Sequence, residues 1–267
     1  MAELLDRLPV QRISPAPLRA LFIACGVTFG WLTVDVLYAI LVHPHRLRLL
    51  TIYLLPLFAA LMLFALWRLG RSAAGQVAPG LLLAGSLFHI AAAGMDLFFT
   101  TRADPYLTLE ANPYIRTLLD ETSHSFARIY GHVALVQVLF VGLFVLSWWS
   151  FLRHRNRIAS AVHADRAATW PQFVKAATGG GHLTFRQWLL PLRPGEIPNA
   201  YYGIWPVALA VSFGTSLLRY WAAAEWLWIV PAQSTFRISV LLVGVAATLI
   251  AYFTWLAMHW RKTAAGR

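Results

Sequence analysis

Two polar stripes in otherwise apolar runs carry most of the residues able to do chemistry. Ser86, His89, Ala93, Asp96 and Thr100 recur at helical spacing and share one face. Ser212, Thr215, Ser216 and Arg219 do the same in a later run. An arginine in such a run keeps its proton, so it needs a carboxylate, an anion or a wet cavity. Asp96 and Asp35 are its best-placed partners in the chain. Glu225, six residues on, turns to another side of the helix. Arginine, histidine and carboxylate together suit acid–base work on an anionic substrate. The arginine holds the anion, and a carboxylate or imidazole moves the proton. Asp96, Glu110 and His132 are therefore expected to be catalytic. Arg219, His89, Asp35, Asn112 and Arg116 are expected to bind substrate.

A metal is a second possibility from residue type. His43, His45, His132 and Glu110 are acceptable ligands for a divalent ion such as zinc. No H-E-x-x-H or comparable spacing accompanies them. The cofactor is thus left open, with a divalent metal favoured over haem. Haem would need His89 and His132 at one depth, and the expected spans separate them by roughly 9 Å. Cys25 is the single cysteine, so a disulfide within the chain and a cysteine-based cluster are excluded. No G-x-S-x-G marks a nucleophilic serine.

Such groups stand out because charge is scarce. Of 267 residues, 59% are apolar and 12% charged, where a soluble domain carries about 25%. Mean hydropathy is +0.60. Too little charge is present to cover a soluble surface, which excludes a soluble enzyme and a disordered chain. The composition implies an all-α, polytopic membrane helix bundle, one integral domain over residues 1–267. Six apolar runs have spanning length, at 18–42, 49–68, 79–101, 127–152, 203–230 and 238–260. The stretch before the first lacks the apolar core of a signal peptide, so that span is expected to stay in the mature protein.

Orientation follows from Lys and Arg. With the N-terminus inside, fifteen lie on the inner side and six outside. That predicts N-in and C-in, an outer loop at 102–126 and an inner loop at 153–200. The net charge of +11 then reads as a basic skirt against anionic lipid at the inner face, and does not require nucleic acid. The expected location is a bacterial inner membrane. Gly179, Gly180 and Gly181 in the inner loop suggest a hinge, and Phe185 to Leu190 could lie along the interface. Seven of the eleven acids fall in the outer half or beyond, which points to a polar vestibule on that side.

The outer segment also has a pattern. Asp96 and Thr100, then Glu110-Ala111-Asn112-Pro113 and Arg116, read D-x3-T…E-A-N-P-x2-R. This resembles the signature of an uncharacterised family of small bacterial and archaeal multi-pass membrane proteins, over about 40 residues. The family tends to carry a lysine in the following helix, where this chain has His132. The resemblance implies a shared structural unit and no particular reaction. In physical terms, Asn112 would cap a helix through Tyr114 to Leu119 with Pro113 at its first position. Glu110 would lie at the positive end of that helix.

The functional expectation is an outward-facing polar cavity in a membrane-embedded hydrolase or transferase, acting on a lipid-linked or anionic substrate. The first alternative is a transporter or proton-coupled carrier. The second is a non-catalytic subunit that docks membrane protein partners through the inner loop.

Overall fold

In hydrocarbon a segment must satisfy its own backbone hydrogen bonds, so the apolar runs form helices. The computed structural model describes residues 49–71, 76–106, 113–121, 125–164, 197–228 and 234–264, with scattered residues from 24 to 38. In chain order the helices are α1 (Leu49–Arg71), α2 (Pro79–Ala103), α3 (Pro113–Glu121), α4 (Phe126–Ala164), α5 (Ile197–Trp228) and α6 (Ser234–Ala264). The described residues between 24 and 38 are helical too. No strand occurs among the described residues.

Five segments are long and apolar enough to cross a membrane: Leu50–Arg71, Pro79–Ala103, Phe126–Asn156, Trp205–Leu227 and Arg237–His259. They coincide with five of the six expected runs. Most of the first run lies outside the described residues, as does 165–196 with its glycine triplet and Phe185–Leu190. α4 continues to Ala164 and α5 begins at Ile197, so the expected inner loop narrows at both ends. The polar residues after Leu152 extend the helix because they support helical geometry beyond the apolar stretch.

α4 is the central helix and packs against each of the other five. α1 and α3 touch each other, while α2 packs on α5 and α5 on α6. We call the end of the bundle where α2 stops and α4 starts the upper end. α2 begins with Pro79 after an extended Ala78, a placement that wastes no backbone donor. It ends where Asp104 leaves the helical region and its N–H bonds the Thr100 carbonyl at 2.9 Å. Pro105 then prevents continuation.

Small residues set how closely the helices approach. The buried residues of α2 are Gly85, His89, Ala92 and Ala93, one face at helical spacing. Leu83, Leu87, Ile90 and Phe98 are exposed on the other side, as lipid contact requires. The adjacent indoles of Trp149 and Trp148 lie directly on Gly70 of α1 and Gly85 of α2. Trp148 also donates its Nε1–H to the Leu81 carbonyl at 2.8 Å. α5 and α6 cross at Gly214 and Gly244, which face each other with no side chain between. An aromatic cluster of Phe151, Trp205, Tyr252 and neighbouring leucines fills the lower part, and Ile52, Tyr114, Leu118, Ile129 and Val133 fill the upper part.

Candidate functional site

Between these clusters lies a polar centre built by three helices. α2 supplies His89, α5 supplies Ser216 and Arg219, and α4 supplies Phe144. His89 is fully buried. Its Nδ1 lies 2.7 Å from the Ser216 hydroxyl oxygen. The imidazole packs on Phe213, Phe144 and Phe88, with ring centroids 4.6, 5.6 and 5.7 Å away. The Arg219 guanidinium carbon sits 5.9 Å from the centre of that same Phe144 ring. Arg219 acts electrostatically on His89, and Asp96 acts on Arg219. Beside them the Tyr220 hydroxyl donates to the Phe88 carbonyl at 3.0 Å, which fastens α5 to α2.

Two polar atoms here are buried with no hydrogen-bond partner among the described residues: His89 Nε2 and Arg219 Nη1. Buried polar atoms are normally satisfied, so two in one region need a reason. The centre offers one cationic donor and one imidazole nitrogen. That set can bind an anionic oxygen ligand, and it can pass a proton at Nε2.

His132 belongs to a different layer. It lies twelve residues above Phe144 on α4, about 18 Å along the axis. Its Nε2 lies 2.5 Å from the Tyr114 hydroxyl, and the two rings stack at 5.8 Å. The Tyr114 hydroxyl donates to the Ile52 carbonyl at 3.3 Å. Burial pushes the Tyr114 phenol up, so it stays a neutral donor. Tyr130 donates to the Pro105 carbonyl at 2.7 Å. These bonds hold α3 against the upper end and fasten the end of α2 to α4. Arg116 is half-buried on α3.

The other acids have partners of their own. Asp35 is buried and accepts from the Thr51 hydroxyl at 2.5 Å, while Thr51 accepts from Trp31 Nε1 at 3.1 Å. Glu225 accepts from Arg237 Nε and from Trp221 Nε1, each at 2.7 Å. Glu225 thus ties α5 to α6, apart from Arg219 as its spacing implied.

Of the residues expected from sequence, the structure brings His89, Arg219 and Asp96 together. It sets His132 and Asp35 in separate upper networks. Glu110, Asn112, His43 and His45 lie outside the described residues. Among the described residues, no three His, Cys, Asp or Glu side chains group to hold a metal ion. Ser216 is visible in the second stripe, but only the fold shows that it faces His89.

Tyr114→Phe tests the upper network. It removes the hydroxyl that both His132 and the Ile52 carbonyl use, at a cost of about 1–3 kcal/mol. The expected result is a lower melting temperature in detergent and faster tryptic cleavage at Arg116. Unchanged melting and cleavage would show that the hydroxyl does not hold α3.

Compared with known protein families, curated proteins and solved structures, the chain matches none.

Proposed function

We propose that this chain seats the anionic group of a lipid-linked or free substrate between α2, α4 and α5, and catalyses hydrolysis or transfer on it. The carrying observation is the pair of buried atoms without partners, Arg219 Nη1 and His89 Nε2, beside one aromatic ring. Arg219 holds the anion. His89 is the acid–base group, its ring oriented by Ser216 and by three phenylalanines. Asp96 balances the Arg219 charge while the site is empty. The upper end is the outer face of an inner membrane, the orientation that the Lys and Arg distribution favours.

Retention of anionic lipid tests this reading. The purified protein is placed in phosphatidylcholine nanodiscs doped with phosphatidylglycerol, and bound phosphatidylglycerol is measured by mass spectrometry. Arg219→Met is expected to lower its affinity about ten- to hundredfold, the worth of a charge-assisted hydrogen bond. Arg219→Lys is expected to keep part of it, because the charge remains while the fork is lost. Equal retention by wild type and Arg219→Met would overturn the assignment.

A further inference from the structure

Charge balance in the polar centre carries one step further, resting on the proposed anion binding. The groups that act on one another are His89 and Asp96 on α2 and Ser216 and Arg219 on α5, with Tyr220 beside them. Tyr220 is engaged with the Phe88 carbonyl. Arg219 is cationic and Asp96 is the carboxylate whose charge reaches it. Their charges cancel, so the centre is neutral with His89 uncharged. An anion entering this neutral centre would leave a net buried negative charge, which costs several kcal/mol in a low-dielectric interior. The imidazole of His89 can remove that cost by taking up one proton.

The geometry suits this role. Packing on Phe213, Phe144 and Phe88 fixes the ring, so it cannot swing out of the centre. In the imidazolium both ring nitrogens donate. Nδ1–H then donates to the Ser216 oxygen at the observed 2.7 Å. Nε2–H, which has no partner among the described residues, becomes a donor to the anion. Arg219 Nη1 supplies the second donor. We propose that an organophosphate anion and a proton bind together in this centre, the proton on His89. Each then strengthens the binding of the other, since linkage is reciprocal.

Phosphate diesters are the probes, because their charge does not change between acid and neutral pH. Dimethyl phosphate tests a free anion. Phosphatidylglycerol in phosphatidylcholine nanodiscs tests a lipid headgroup. Calorimetry is run on the full chain across a pH series, in buffers of different ionisation heat. The expected result is uptake of one proton per anion between the pH at which His89 titrates in the free protein and the higher pH at which it titrates in the complex. Affinity should fall about tenfold per pH unit there. Binding of both diesters with that slope supports the proposal and assigns a site open to free anions. Binding of phosphatidylglycerol alone with that slope supports it and assigns a headgroup site. His89→Gln is expected to abolish the pH dependence, and the wild-type proton uptake decides the matter even if that variant fails to fold. Binding that depends on Arg219 but takes up no proton overturns this proposal and leaves the anion site standing. Failure of both diesters to bind at any pH overturns both.

Discussion

Replacing Asp96 with leucine is expected to destabilise the protein by about 3 kcal/mol. That is the low end of the range for removing the counter-charge of a buried ion. Asp96 is only half-buried, which argues for the low end. The loss comes from Arg219, left cationic in the bundle without the carboxylate that acts on it. Arg219→Met should cost less, because the remaining carboxylate can take up a proton. The double variant, Asp96→Leu with Arg219→Met, should recover most of the stability, since two apolar side chains replace two charges. Melting in detergent measures all three. Recovery of stability with continued loss of phosphatidylglycerol binding separates the two roles of Arg219. Additive losses in the double variant would show that the two charges do not stabilise each other.

Gly244→Val is expected to have the second large effect. A Cβ at Gly244 would stand 2.9 Å from the Gly214 Cα, which is backbone and cannot turn aside. It would also meet the Leu217 side chain at 3.2 Å. α5 and α6 must therefore separate, and overpacking of this kind costs about 1–3 kcal/mol or more. α5 carries Ser216 and Arg219, so the shift should also weaken anion binding. Gly94→Ala is the comparison. Nothing lies within 4 Å of a Cβ there, and alanine is the better helix former by up to about 1 kcal/mol. A melting temperature that falls for Gly244→Val and holds or rises for Gly94→Ala is the expected pair of results. Equal tolerance at both positions would mean that the glycine crossing does not set the helix spacing.

Particular residues show how far the sequence reached. The stripe on α2 was legible because its period matches the helix, and its members His89 and Ala93 are indeed buried while Leu87 and Ile90 are not. Glu225 was legible in the same way, since six residues of helix rotate it away from Arg219. The helix after Asn112-Pro113 was legible from its proline and occurs at Pro113–Glu121. Grouping His132 with His89 and Asp96 came from counting polar residues by side. It could not register the full depth difference: the expected spans give about 9 Å, while α4 carries His132 about 18 Å above the level of His89. Nor could it register that a tyrosine on α3 engages the imidazole.

Local patterns, then, determined that the chain is helical and membrane-embedded, and which faces of α2 and α5 are polar. Those properties depend on composition, on the helical period and on the cost of unpaired backbone in lipid. Which polar faces meet was decided only by packing. Glycines let Trp148 and Trp149 seat α4 against α2 and α1, and let α5 cross α6 closely. These approaches fix the rotation and height of each helix, and with them the meeting of His89 with Ser216 beside Arg219. A contact between residues 127 positions apart in the chain depends on every helix between them, so no local pattern encodes it.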